Sequence, residues 1–151
     1  MLDDPALRPS LETRLARMLT PLVLAHLPSD FPPGHGPNAM GDWIATRRAR
    51  AQVFVVERDA DLIGLLFLFR PDPASTDLHL GYLFAEEAWG QGYATELLSG
   101  LLAQLRPQAP LTLRASVTTG NPASARVLRK SGFRSDKDQP DKGLLRFHLS
   151  L

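Results

Sequence analysis

The sequence predicts a mixed α/β domain built around one sheet. Apolar, strand-like runs occupy the middle of the chain, helical patterns alternate with further strands after them, and no internal repeat is visible. The predicted order of elements is strand–strand–strand–helix–strand–helix–strand. At 151 residues with 44% hydrophobic content, the chain is most simply a single domain over residues 1–151 that buries a substantial core.

The N-terminal segment leaves two interpretations open. Apolar residues between Leu11 and Leu22 follow the spacing of an amphipathic helix, whereas residues 13–19 also fit an opening strand. Residues 28–37 are rich in proline and glycine and predict a loop that can shape a substrate site. A helix is predicted after it, from about Ala39 to Arg50.

The next part of the chain predicts three strands. Residues 51–56 and 62–69 are nearly continuous apolar runs, which is typical of a sheet covered on both faces. The polar residues 57–61 predict the turn between them. A third short apolar run covers residues 78–84.

A glycine-containing stretch follows the third strand and precedes a helix. Leucines recur at helical spacing from residue 94 to 105 and give this helix one apolar stripe. Gly90 and Gly92 let the backbone approach a ligand closely, and the first N–H groups of a helix form a ready site for a phosphate. A plain tight turn is the other interpretation of the two glycines.

The last third of the chain predicts strand, helix and strand. Residues 111–117 form the first of these strands, and Asn121 followed by Pro122 is a helix start with an N-cap residue and proline at the first position. Gly132 suits the end of that helix. Residues 134–143 form a polar connector, and alternating apolar residues over 145–151 predict a half-buried closing strand.

Composition excludes several classes of function. The net charge of +1 gives no sign of a nucleic-acid or membrane partner, and the absence of cysteine excludes disulfides, thiolate metal sites and a cysteine nucleophile. The four histidines lack metal-ligand spacing, so we expect no metal. The N-terminus lacks the features of a secretory signal, and the longest apolar run is far shorter than the roughly 20 residues of a membrane helix. These features predict a cytoplasmic protein.

Four sequence blocks resemble a known family. They are Leu80-Gly-Tyr-Leu83, Trp89-Gly-Gln-Gly-Tyr-Ala-Thr-Glu96, Asn121-Pro-Ala-Ser124 and Lys130-Ser-Gly-Phe133. With them the chain resembles the GNAT superfamily of acetyl-coenzyme A-dependent N-acetyltransferases, and within it the branch of ribosomal-protein N-terminal acetyltransferases and related antibiotic and small-amine acetyltransferases. The resemblance implies a mostly antiparallel sheet flanked by helices, with the strand at 78–84 splayed from the strand at 111–117.

The resemblance also implies how acetyl-coenzyme A would be bound. Backbone N–H groups at the start of the glycine-led helix would hold the pyrophosphate, and the third strand's end would pair with the pantetheine arm. The implied binding residues are Leu83, Phe84, Ala85, Trp89, Gly90, Gln91, Gly92, Tyr93, Ala94, Thr95, Asn121 and Ser124. Many family members carry glutamine or arginine where Trp89 stands, so the backbone is the expected cradle. Asn121 also fits a plain N-cap that needs no ligand.

Two residues are the implied catalytic candidates. A protonated alkylamine with a pKa of about 10 must lose a proton before it attacks a thioester. His79 stands where this branch often has a glutamate proposed as that base, with Glu86 and Glu87 as alternatives. Ser124 is the candidate proton donor to the coenzyme thiol, because the slot that holds a tyrosine in many members is Leu128 here.

The sequence does not identify the acceptor substrate. We expect a small-molecule or peptide amine acceptor and a monomeric or homodimeric protein, with residues 28–41 and 134–143 as the segments that select the acceptor. One rival is an enzyme that uses another acyl-coenzyme A, and a second is a non-catalytic acyl-coenzyme A sensor. A nucleotide-binding module is a poorer fit, since the chain has neither GxxxxGK[ST] nor GxGxxG.

Overall fold

The structure is a computed structural model that describes residues 8–27, 33–34, 36–136 and 143–151, with side chains from residue 11 onward. Most of the predicted loop at 28–37 and of the connector at 134–143 lies outside the described residues. Their suggested role in choosing the acceptor therefore stays a prediction.

Five helices and six strands make up the described fold. The helices are α1 Arg8–Met18, α2 Pro21–Ala25, α3 Ala39–Arg50, α4 Tyr93–Leu105 and α5 Pro122–Lys130. The strands are β1 Gln52–Arg58, β2 Asp61–Phe69, β3 Asp77–Phe84, β4 Thr112–Thr118, β5 Arg134–Ser135 and β6 Leu144–Ser150. Among the described residues, no helix has the length and apolar character needed to cross a membrane.

The strands form one mixed sheet in the order β1-β2-β3-β4-β6-β5. Strands β1 and β2, β4 and β6, and β5 and β6 pair antiparallel, while β3 and β4 pair parallel. The predicted mixed, mostly antiparallel α/β fold is thus confirmed. The parallel ladder joins Asp77–Leu80 to Thr112–Ala115 and ends there, although both strands continue.

The fold comprises two compact units, of which the first contains residues 1–68 and 82–89. Its core joins the N-terminal helices to β1 and β2. Leu15 and Leu65 are fully buried, and the Trp43 and Phe67 rings meet edge to face at 6.3 Å between centroids. The other buried members of this core are Met18, Leu19, Val23, Ile44, Val53, Leu83 and Ala85.

The N-terminal segment is helical, so the alternative of an opening strand at 13–19 is wrong. Two helices replace the single periodic run because Thr20 and Pro21 start a new one. The Thr20 hydroxyl accepts a hydrogen bond from the Val23 N–H at 3.4 Å, and Pro21 occupies the first turn of α2. Burial of Leu15 fixes α1 as an amphipathic helix.

The predicted five-residue turn at 57–61 is also wrong. β1 and β2 run further than expected and are joined by Asp59 and Ala60 alone, with φ values of +50° and +70°. Two residues at positive φ form the hairpin turn that matches the twist of the strands. Arg14 of α1 donates to the Ala60 carbonyl at 2.7 Å and lies 3.3 Å from the Glu57 carboxylate, which ties α1 to this turn.

The second unit contains residues 69–81 and 90–151. Leu98, Leu113, Leu128 and Phe147 are fully buried in it. Gly132, at φ +100°, ends α5 as predicted, since the Phe133 N–H donates to the Leu128 carbonyl at 3.0 Å. The prediction of a plain connector over residues 134–143 is wrong for its first two residues, which form β5 and pair with β6 as an edge strand. A two-residue strand is too short to give a recognisable sequence pattern.

Candidate active site

The glycine-containing stretch forms an open helix start. Gly90 and Gly92 adopt left-handed φ values of +72° and +83°, and Gly92 is the N-cap of α4. No side chain caps this helix, so Gly92 offers no acceptor to the N–H groups of Ala94 and Thr95. A Cβ built on either glycine meets no atom within 4 Å, which leaves open space beside the backbone. The arrangement suits an anion next to the first turn.

Trp89 is fixed by two contacts immediately before these glycines. Its indole Nε1–H donates to the Phe84 carbonyl at 2.9 Å, and its ring lies 5.2 Å from the His26 ring between centroids. The side chain is still 39% exposed. The indole therefore braces the backbone that links β3 to the glycine-containing stretch.

The end of β3 has most of its backbone groups engaged. The Ala85 N–H donates to the Ile63 carbonyl at 2.8 Å, and the Ala85 carbonyl accepts from Ala88 at 2.9 Å. The Phe84 carbonyl accepts from Trp89. Because backbone N–H groups alternate in direction along a strand, the Phe84 N–H points away from β2. By the same alternation the Leu83 backbone faces β2, as Ala85 does, so the Phe84 N–H is the backbone donor of the predicted pairing edge at residues 83–85 that faces away from β2.

A close approach between strands fixes the position of this edge. Gly64 of β2 packs so tightly that an added Cβ would lie 2.6 Å from the Leu83 carbonyl oxygen and 2.9 Å from the Phe84 ring. Only glycine fits there without moving the neighbouring backbone. Sequence reasoning missed this residue, because a glycine inside an apolar run signals only a possible close contact.

Asn121 is the N-cap of α5, as its sequence context predicted. Its Oδ1 accepts a hydrogen bond from the Ser124 N–H at 3.2 Å. The cap uses the carbonyl end of the amide and leaves the Nδ2 end to point elsewhere. Asn121 and Ser124 are both half-buried in the first turn of the helix.

His79 lies on β3 in a partly polar setting. The Phe69 ring packs against the imidazole at 4.9 Å, and Arg114 is its register partner on β4. Burial lowers the pKa of His79 below its ordinary value; Asp77 acts to raise that pKa and Arg114 to lower it further. A neutral imidazole at neutral pH can accept a proton.

The other catalytic alternatives differ in exposure. Glu86 is half-buried and Glu87 exposed, and both lie in the short 3-10 turn Glu86–Ala88. Leu128, at the position where the resemblance implies a tyrosine in many members, is fully buried. A leucine side chain has no acidic proton, so this residue cannot act as the proton donor.

Several contacts around these residues could not be predicted from the sequence. His26 meets Trp89 across 63 positions of the chain, and Arg114 bonds Asp77 across 37. Both contacts depend on which elements pack together, so no local pattern could reveal them. Among the residues that the structure describes, no group of three or more His, Asp or Glu could hold a metal ion.

A protein-family model matches most of the chain. It is the model of the acetyltransferase (GNAT) domain, and it matches residues 9–134. Among curated proteins, none matches at a significant level.

Solved structures share the fold at low identity. A RimL ribosomal-protein alpha-N-acetyltransferase in complex with coenzyme A is 16% identical, with a TM-score of 0.72 over 98% of this chain and 90% of that one. A ribosomal-protein-alanine N-acetyltransferase from Brucella melitensis is 24% identical, with a TM-score of 0.65 over 97% and 95%. A spermidine N-acetyltransferase chimera from Vibrio cholerae is 15% identical, with a TM-score of 0.66 over 97% and 93%.

Proposed function

Because the chain belongs to the acetyltransferase (GNAT) domain family, we propose that it transfers the acetyl group of acetyl-coenzyme A to a primary amine by direct attack in a ternary complex. The amine nitrogen attacks the thioester carbonyl carbon, the carbon–sulfur bond breaks, and an N-acetyl amide and coenzyme A result. Residues 1–151 act as one domain in this proposal, since the family match includes residues of both compact units.

The observation that carries the proposal is the uncapped start of α4. The N–H groups of Ala94 and Thr95 have no side-chain acceptor, and open space lies beside Gly90 and Gly92. The pyrophosphate of the donor supplies the missing acceptors and a negative charge at the positive end of the helix dipole. Backbone groups from Trp89 to Thr95 form this cradle.

The pantetheine arm pairs with the end of β3. The Phe84 N–H is the group on offer, because the Ala85 N–H and carbonyl are engaged elsewhere and the Leu83 backbone faces β2. A backbone N–H beside the thioester also suits the developing oxyanion, and the Phe84 N–H takes that role here. Asn121 donates its Nδ2 group to the arm while its Oδ1 caps α5.

Two side chains handle protons in the reaction. His79 accepts the proton that the ammonium group must lose, directly or through a water molecule, and its lowered pKa keeps it neutral and able to do so. Ser124, or solvent, returns a proton to the coenzyme thiolate as it leaves. No covalent bond to the enzyme is needed, because positioning two bound substrates supplies much of the rate.

The acceptor is a primary amine on a small molecule or a peptide N-terminus. Solved structures with this fold act, by their names, on ribosomal proteins in some cases and on spermidine in another. We therefore expect an experiment on acceptors to cover peptide N-termini, polyamines and small primary amines.

Calorimetry with acetyl-coenzyme A and coenzyme A tests the first half of the proposal. The second half is an amine screen with thiol release as the signal, and the chain suits it because it contains no cysteine to react with the thiol reagent. Failure to bind the coenzyme would refute the proposal. Binding without turnover over the whole panel would favour a non-catalytic sensor, and turnover only with a longer acyl group would favour a different donor.

His79→Gln separates proton removal from binding. We expect the variant to bind the coenzyme normally and to lose the acidic limb of the kcat/KM profile, since that limb reports protonation of the free enzyme's base. An unchanged profile would remove His79 as the base and direct attention to Glu86.

A further inference from the structure

A network of charged side chains crosses the second unit on one face of the sheet. The Asp77 carboxylate accepts a hydrogen bond from Arg114 Nε at 2.9 Å, and Arg114 Nη1 lies 3.8 Å from the Asp136 carboxylate. Asp136 also bonds the ring of His148. Arg114 is therefore held between two carboxylates that come from different strands or their ends.

The register of the strands places this network next to His79. His79 is opposite Arg114 in the parallel ladder, and Arg114 is opposite His148 in the antiparallel one. Residues directly opposite in a ladder share a face, as do residues two apart on one strand. Asp77, His79, Arg114 and His148 thus point to the same face of the sheet.

The opposite face of these strands is apolar. Leu78, Leu80, Leu113 and Phe147 are buried there and alternate with the polar residues. The polar side chains are only partly exposed, between 31% and 39% for Asp77, Arg114, Asp136 and His148. Partial burial weakens solvent screening, so a charge at one of these positions acts on its neighbours.

We propose that Asp77 and Arg114 are positioning residues for His79, and that the balance between this anion and this cation decides how readily the imidazole takes up a proton. Asp136 holds Arg114 in place from its other side. Among the described residues of this unit, the charged and titratable groups on the face of His79 are Asp77 on its own strand, Arg114 on β4, His148 and Arg146 on β6, Arg134 on β5, and Asp136 next to Arg114. The consequence for turnover rests on the proposed function of His79 as the base.

Asp77 and Arg114 change the ease of protonating His79 in opposite directions, so substituting each one separately tests the proposal. Arg114→Gln removes a cation beside the imidazole and frees Asp77 from its ion pair, so protonation of His79 becomes easier. Asp77→Asn removes the anion and leaves the cation, so protonation becomes harder. A purely structural role for the ion pair would give the same loss in both variants, because each substitution breaks the same contact.

NMR titration of the His79 ring is the first measurement, with His79→Gln used to assign its signal among the four histidines. We expect the midpoint to rise in Arg114→Gln and to fall in Asp77→Asn. Arg146→Gln is the matched control: it removes the same charge from the same face, at an exposed position opposite Ser116 rather than His79. Midpoints that move together, or that move as much in the control, would overturn the inference.

The pH dependence of kcat/KM is the second measurement. On the acidic limb, Arg114→Gln should be about two- to fivefold slower relative to its own plateau, and Asp77→Asn faster by a similar factor, which is the size expected for a half-exposed charge pair. If the ring titrations shift as expected while the acidic limbs do not, the charge balance stands and the assignment of His79 as the base fails.

Discussion

Replacement of Gly92 by alanine tests the cradle, because the structure lets backbone strain be separated from ligand contact. Gly92 has φ +83° and open space around its missing Cβ. An L residue in this conformation costs about 1–2 kcal/mol. For a chain of this size, such a cost lowers the thermal midpoint by about 2–8 °C.

Gly132→Ala is the control for that strain. Gly132 has φ +100°, and an added Cβ makes only an ordinary contact at 3.6 Å, with Leu149. Gly132 lies at the C-terminal end of α5, whereas the proposed ligand contacts of that helix, Asn121 and Ser124, lie at its N-terminal end. We therefore expect both variants to lose similar stability in a thermal melt.

Coenzyme affinity should separate the two variants. The methyl group of Gly92→Ala occupies the space through which the pyrophosphate approaches the helix start, and loss of one hydrogen bond to a charged group is worth about 1.5–3 kcal/mol. Calorimetry should then show about a ten- to hundredfold increase in Kd for coenzyme A, with no change for Gly132→Ala. Equal affinities in the two variants would refute the placement of the cradle.

Three further predictions concern the residues around the site. Gly64→Ala should lower the free energy of unfolding by about 1–3 kcal/mol, since its Cβ would lie 2.6 Å from the Leu83 carbonyl oxygen. Gly100→Ala, at an open position in a helix, should not lower it. A denaturant titration in which Gly100→Ala is the less stable variant would show that the close contact at Gly64 is absent. Trp89→Phe removes a hydrogen bond worth about 0.5–1.5 kcal/mol, so the KM for acetyl-coenzyme A should rise about two- to tenfold while kcat changes less; a fall in kcat alone would argue against a role in donor binding. Asn121→Ala should lose about 1 kcal/mol of stability, whereas Asn121→Ser keeps a capping oxygen; if the serine variant also keeps full coenzyme affinity, Asn121 is a cap and nothing more.

Much of the fold could be predicted because its signals are local. Asn121 and Pro122 predict the start of α5, and in the structure α5 begins at Pro122. The apolar runs at β2 and β3 predict buried strands. The same reasoning could not choose between helix and strand before residue 20, since the apolar spacing there fits both and burial of Leu15 by tertiary packing decides the outcome.

The candidate site was predictable in its backbone and not in its side-chain setting. Two glycines before a leucine-striped helix are visible in the sequence, and they permit the left-handed φ that Gly92 adopts. The tight turn through Ala60 could not be foreseen, because alanine seldom adopts a positive φ. The surroundings of His79 depend on strand register, which sets Arg114 beside it from 35 residues away.

If the donor binds at the start of α4 as proposed, the missing cap of this helix would link donor binding to the stability of the fold. An N-cap side chain is worth about 1 kcal/mol, and α4 goes without one whereas α5 has Asn121. A bound pyrophosphate would complete the first turn of α4, so the thermal midpoint should rise steadily with the logarithm of coenzyme concentration. Amide hydrogen exchange at Ala94 and Thr95 should slow on binding far more than exchange in the first turn of α5. The fraction of protein with bound donor would thus be measurable from amide hydrogen exchange in the first turn of α4, without any measurement of catalysis.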